Sequence, residues 1–270
     1  MPEASEIKGV KFAKELGLPE NAPYVCLHVR ETGFYGAKEG RGKTTRNGSI
    51  DNYLDAINYL TSRGLWVVRL GDPSMTPLPR MSNVIDYPFS RFKCDLMDIW
   101  LIKHCALYVG QDSGPMNVAI LFEKTILSTN IVDVCCGSPL RTGDRGILKH
   151  VFSRKKSRHL SVKEVIEGVL SRHNDFINDP DFVFVENSPE EILELITEYF
   201  DDRKAITGES EKTYIQRCVD SQREQFDSAV DWLNLMSDAE RDRFLAAFCA
   251  SSGKLSNKFL EKFYWSGQSN

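Results

Sequence analysis

The chain has 270 residues, 41% hydrophobic and 27% charged, which fits one large folded domain or one domain with an appendage and excludes a disordered chain. Thirty-four Lys and Arg against 38 Asp and Glu leave a formal charge of −4, so no overall basic field points to nucleic acid and no polybasic block to a membrane surface. The apolar runs at 65–68 and 118–122 are too short to form a transmembrane segment, the first residues lack the regions of a signal peptide, and a cytoplasmic location is expected.

In chain order, Pro23 precedes Tyr24-Val-Cys-Leu-His-Val-Arg30, a β-rich run of strand length. A Gly-rich polar loop covers 31–49, and residues 51–62 place Tyr53, Leu54, Ile57 and Leu60 on one helical face. Gly64 ends that helix, and residues 65–70 read as a second strand stopped by Gly71-Asp72-Pro73. Residues 83–86 predict a short third strand, 94–104 a helix, 107–109 a strand, 115–122 a helix and 125–127 another strand. Ser161-x-x-Glu164 and Ser188-Pro-Glu-Glu191 have the pattern of helix starts, and Phe182-Val-Phe-Val185 between them reads as a last strand. Strands alternating with helices predict an α/β fold, a Rossmann-like parallel sheet with helices on both faces. After about Lys204 the character changes: Ile215, Val219, Gln222, Phe226, Val230 and Leu233 follow helical spacing, and Ser237-x-x-Glu240 caps another helix. The expected organisation is a Rossmann-like domain over 1–204 and a helical C-terminal extension over 205–270.

Seven Cys is an odd number without a Cys-x-x-Cys pair; Cys26, Cys105 and Cys135 lie among apolar residues and are expected as buried thiols. The Cys135-Cys136 doublet lacks nearby His and is not read as a metal site.

In an open parallel sheet, ligands bind beyond the carboxyl ends of the strands. Three groups of residues fall there. His28 and Arg30, two apart, share a strand face and can converge on one ligand, the guanidinium suiting a phosphate; the alternative is a core-bonded imidazole and a solvated arginine. Gly71-Asp72 follows the second strand and either admits a ligand to the backbone or makes a plain Asp-Pro turn. The run from Asp98 to Ser113-Gly114 leads through a helix and a strand into a further helix start, which offers a phosphate cradle or simple Ser capping.

His28-Val29-Arg30 resembles the His-x-Arg motif of α-1,6-fucosyltransferases, nodulation fucosyltransferases and related bacterial glycosyltransferases. The stretch from Asp98 to Gly114 is similar to their later motif, in which an Asp opens a helix, a strand follows, and Ser-Ser or Ser-Gly closes the loop. Leu70-Gly-Asp-Pro73 matches the small-Asp-Pro turn between them, and residues 69–79 are similar to a bacterial glycosyltransferase family on the same plan. The resemblance spans residues 20–200. It implies the donor half of a GT-B fold and metal-independent transfer of a sugar, with Arg30 as the catalytic residue and holder of the diphosphate. His28 would line the same pocket, Asp98 would recognise the base, Ser113 and Gly114 would grip the β-phosphate, and Gly71 and Asp72 would form the rim. No cofactor is implied beyond a GDP-sugar donor; the acceptor would be a glycan, a lipid-linked sugar or a protein. The chain departs from the family at Phe34, where a basic residue is usual, and Lys38, Arg41, Lys43 or Arg46 would have to supply that charge.

Only about 20 residues precede the first strand, so a GT-B enzyme's second Rossmann-like domain, the acceptor half, is expected to be missing from this chain or replaced by the helical tail. The one Asp-x-Asp triplet, Asp179-Pro-Asp181, lies in a Pro-constrained strand lead-in and reads as structural rather than as a metal site. Two other functions compete: a non-catalytic nucleotide-sugar-binding domain, and a phosphotransferase built on Ala37-x-x-x-x-Gly42-Lys43-Thr44, a relaxed P-loop pattern in a poor strand context. Gly110-Gln-Asp-Ser113-Gly-Pro resembles a serine-protease nucleophile segment but lacks the Gly-x-Ser-x-Gly spacing of a hydrolase elbow.

Overall fold

Five β-rich runs build the sheet of the first half of the chain. β1 (Tyr24–His28), β2 (Trp66–Leu70), β3 (Val84–Asp86), β4 (Leu107–Gly110) and β5 (Ile126–Ile131) are parallel, in the order β3-β2-β1-β4-β5. The computed structural model describes residues 1–33, 45–132, 141, 143–169, 179–202 and 253–266. The chain divides into two compact units, Met1–Thr129 with Ser188–Leu193, and Asn130–Asn187 with Glu194–Asn270.

In the first unit the helices α1 (Glu3–Glu15), α2 (Leu54–Ser62), α3 (Asp95–His104) and α4 (Gly114–Leu121) flank the sheet. Every residue of β1 is buried, as a strand covered on both faces requires. Tyr24 and Cys26 join one apolar cluster with Ala13 of α1, Trp100 and Leu101 of α3, and Met116 and Ala119 of α4. Val25 and Leu27 point the other way, toward the side of α2: Tyr53, just before that helix, hydrogen-bonds Thr129 on β5 at 2.6 Å. This is the Rossmann-like α/β fold expected from the alternation of elements. α1 is pinned to α3 by Glu6, which accepts from Trp100 Nε1 at 3.0 Å and shares a bond with His104 Nε2 at 2.8 Å, with Lys103 Nζ alongside. Lys103 and then His104 hold the Glu6 carboxyl down at about 2.

Several boundaries differ from the sequence reading. β1 stops at His28, so Arg30 lies past the strand rather than on it. The segment 51–62 begins as a 3-10 turn over Ile50–Tyr53, with Ser49 accepting from Asp51 N. The strand expected at 125–127 runs on through Ser128, Thr129 and Asn130, a polar stretch that is nonetheless buried.

Besides the strand expected at 182–185, the second unit holds four described strands that the sequence reading did not find. β6 (Arg145–Leu148) pairs in parallel with β10 (Lys254–Leu255), while β7 (His150–Ser153), β8 (Arg158–His159) and β9 (Phe182–Val185) form an antiparallel sheet in the order β8-β7-β9. The last strand expected of a parallel sheet is therefore antiparallel. Both helix-start patterns are reciprocal capping boxes. Before α5 (Val162–Val169), Ser161 N donates to Glu164 and Glu164 N to Ser161 Oγ; before α6 (Pro189–Asp202), Ser188 and Glu191 do the same. The Asp179-Pro-Asp181 carboxylates serve the backbone: Asp181 accepts from Lys155 N at 2.6 Å and Ser153 Oγ at 2.9 Å, and Asp179 accepts from Asp181 N. Residue 205, where the helical extension was expected to begin, lies outside the described residues, as do Ile215–Leu233 and Ser237-x-x-Glu240. Within the described part of the extension, β10 precedes α7 (Asn257–Phe263), capped by Ser256.

Cys26 and Cys105 are buried thiols; Cys135 and Cys136 lie outside the described residues. No helix among the described residues is long and apolar enough to cross a membrane.

At Gly110 β4 leaves no room for a side chain beside β1: a Cβ there would stand 2.5 Å from the carbonyl oxygen of His28. Backbone cannot move aside as a side-chain tip can. Gly110→Ala is expected to destabilise the protein by about 1–3 kcal/mol, read from urea unfolding midpoints; an unchanged midpoint would refute the close approach.

Candidate functional site

His28 of β1, Leu70 of β2 and Gly110 of β4 are paired across three strands, so the three strands end at one level. Whatever follows each of them emerges on the same edge. Arg30 and Glu31 follow β1, Gly71 and Asp72 follow β2, and Gln111 to Gly114 follow β4 into α4. Because the strand order reverses at β1, this edge is where a doubly wound sheet leaves its crevice.

A cavity of about 530 Å³ occupies that crevice, and His28, Arg30, Gly71, Asp72, Asp98, Ser113 and Gly114 all line it. Its volume falls within the ~300–1,000 Å³ usual for small-ligand sites. All seven residues singled out from the sequence are thus brought together by one feature of the first unit.

Each is held by local structure. Arg30 is buried; its backbone N donates to Gln111 Oε1 at 2.7 Å and its Nε to Asn47 Oδ1 at 3.0 Å. Gly71 adopts φ +147°, the region that favours glycine, and a Cβ there would meet Met75 Sδ at 2.1 Å. Asp72 Oδ1 accepts from Ser74 N at 2.9 Å, the Asx turn expected of an Asp-Pro turn; it lines the cavity as well, so the two readings of this turn coexist. Ser113 occupies the N-cap position of α4 yet makes no side-chain cap bond. Its hydroxyl instead meets His28 Nδ1 at 3.1 Å and Gln111 O at 3.1 Å. A hydroxyl has one proton, so both bonds form together when Ser113 donates to Gln111 O and accepts from His28 Nδ1–H. His28 Nε2 then carries the lone pair.

Burial, and then the positive charges of Arg69 and Arg30, push the His28 imidazole down to about 4. It is neutral near pH 7 and, with so low a proton affinity, a weak base for Ser113, whose own proton is directed to Gln111 O. Pro115 at the second position of α4 contributes no N–H, and the Met116 and Asn117 amides turn back to Ser113 O. The helix start is a narrower phosphate cradle than its sequence suggested.

Asp98 stands in the first turn of α3. Its Oδ2 pairs with Lys93 Nζ, and its Oδ1 is buried with no hydrogen-bond partner among the described residues. Five further charged residues line the cavity that were not placed there from sequence: Glu31, Lys93, Asp95, Asp112 and, previously only one of four loop cations, Arg46. Arg46 lies 3.8 Å from Asp112. Asp112 stood inside the quoted motif and was passed over; Lys93, just before α3, and Asp95, its first residue, carried no signal of their own. Phe34, Lys38, Arg41, Lys43 and the relaxed P-loop pattern lie outside the described residues. Among the described residues no group of three or more His, Cys, Asp or Glu could hold a metal ion.

The depressed imidazole has a consequence for stability. The unfolded state takes up a proton near pH 6.5 and the folded state only near 4, so His28 favours the folded state fully above pH 6.5. That contribution declines as pH falls from 6.5 toward 4 and amounts to about 3 kcal/mol. Urea unfolding at pH 7, 5.5 and 4 is expected to show a steeper acid loss in the wild type than in His28→Gln. Parallel pH profiles would show that the imbalance does not exist.

No protein-family model matches this sequence, and no curated protein matches it. Among solved structures, the crystal structure of a glycosyl transferase family 9 protein from Veillonella parvula DSM 2008 is similar at 15% identity and a TM-score of 0.34, over 47% of this chain and 35% of that one. The chain thus matches about a third of the length of that glycosyltransferase.

Proposed function

We propose that this chain binds a nucleotide-sugar and acts as a glycosyltransferase, transferring the sugar from a GDP-linked donor to an acceptor hydroxyl without a metal ion. The observation that carries the reading is the convergence of His28, Arg30, Gly71, Asp72, Asp98, Ser113 and Gly114 on one cavity at the carboxyl edge of a parallel sheet. Sequence alone grouped these residues by resemblance to fucosyltransferase-like enzymes.

The chemistry divides between two sides of the cavity. From the chain that follows β1 come Arg30 and Arg46, which suit the diphosphate and the charge that grows on it as the sugar leaves. From α3 comes Asp98, whose Oδ1, buried and without a hydrogen-bond partner among the described residues, suits the N–H donors of a guanine edge. By count the lining is acidic, yet its carboxylates are largely engaged: Asp98 by Lys93, Asp112 by Arg46, and Glu31 by Arg69. His28, held neutral, offers Nε2 to a sugar hydroxyl. The base that takes the acceptor proton would come from the acceptor side of the cleft.

The reading is tested by calorimetric titration with GDP, UDP and ADP in the presence of a chelator. GDP is expected to bind. Arg30→Ala removes a charge-assisted contact worth about 1.5–3 kcal/mol, so affinity falls roughly tenfold to hundredfold. Asp98→Asn is expected to erode the preference for GDP over ADP, and Ser113→Ala to weaken binding less. A preference for ADP, a strict requirement for a divalent cation, or no nucleotide affinity would overturn the proposal. Sugar release from GDP-sugars separates an enzyme from a binding domain, which would retain affinity without turnover.

A further inference from the structure

Arg69 is the largest fully buried side chain among the described residues, with no exposure. It sits on β2 directly opposite Asp86 on β3, and one residue before the strand end that faces the cavity. Its NH2 donates to Glu31 Oε2 at 2.7 Å; its NH1 donates to Asp86 Oδ1 at 3.3 Å and to the carbonyl oxygen of Thr76. The two carboxylates are each used twice. Glu31 Oε2 also accepts from Thr76 N at 2.9 Å, and Asp86 Oδ2 accepts from Leu78 N at 2.8 Å.

One guanidinium therefore closes a ring through three separate parts of the chain: the residue after Arg30, the segment 71–78, and the end of β3. That segment contains no helix or strand. Its Thr76 and Leu78 amides are taken up by carboxylates that Arg69 orients, and it delivers Gly71, Asp72 and Met75 to the cavity lining. We infer that Arg69 is a positioning residue of this site: through Glu31 and Asp86 it fixes the rim segment 71–78 and, by the peptide bond between Glu31 and Arg30, the guanidinium that faces the ligand.

A purely structural role explains less. A buried ion cluster is an inefficient stabiliser, because removing three charged groups from water offsets most of their attraction. What a planar fork supplies is geometry, holding two carboxylates and a carbonyl at fixed angles, and an ammonium cannot reproduce it. The inference rests on the function proposed above for its ligand, but the ring can be tested without one.

The test compares wild type, Arg69→Lys and Glu31→Gln by amide hydrogen exchange and by calorimetry with GDP. Both variants are expected to unfold cooperatively, with exchange in 71–78 at least tenfold faster, exchange in β1, β2 and β4 unchanged, and GDP affinity at least tenfold weaker. Glu31→Gln decides the matter should Arg69→Lys not fold. Unchanged exchange in 71–78 overturns the ring, uniformly faster exchange across the strands reduces Arg69 to a stabilising residue, and a faster rim with wild-type affinity overturns the positioning role. A wild type without affinity for GDP overturns the proposed function instead, and the exchange arm still decides the ring.

Discussion

The close contact of β4 with β1, at the carbonyl of His28 and the missing side chain of Gly110, is the constraint from which the site follows. It brings the two central strands to the same level, with β2 on the far side of β1 ending there too. Since successive crossovers leave this edge toward opposite faces, the described residues leave a cavity above it. Short polar segments at three strand ends then become neighbours although up to 85 residues separate them in sequence, as His28 and Ser113 show.

Three of the five carboxylates that line the cavity are ion-paired, Asp112 with Arg46, Asp98 with Lys93, and Glu31 with the fully buried Arg69, so that much of the lining is locally balanced. The imidazole in its midst gives up its charge because the surrounding guanidinium groups and burial both oppose it. Such a surface can accept an anion on one side and donor N–H groups on the other without a large net field, which suits a ligand that is itself part phosphate and part base.

How much of this was visible in the sequence depended on the reach of each signal. Strand ends followed by His, Arg, Gly-Asp or Ser-Gly are local patterns, and they located the cavity. Ser161-x-x-Glu164 and Ser188-x-x-Glu191 specify their own hydrogen bonds within four residues and appear as expected. β5 was cut short because Ser128, Thr129 and Asn130 look like a loop; they are buried because Met116, Tyr53 and Asn187 supply partners from far away. Arg69 looked like one more residue of a strand, since its meaning resides in Glu31, Thr76 and Asp86, none of which a strand pattern predicts. β7 and β8 escaped because four cations between residues 154 and 158 disguise a hairpin as a solvated connection.

Glu6 joins the first helix to Trp100, Lys103 and His104 across the later part of α3, the same helix whose opening turn presents Asp98. The amino-terminal helix is thus a splint for a segment of the ligand crevice, though it contributes no atom to the cavity wall. Amputating it would strip an indole and a lysine of their shared acceptor and loosen the support behind Asp98. Affinity handles and fusion partners therefore belong at the carboxyl terminus when the proposed nucleotide binding is to be measured.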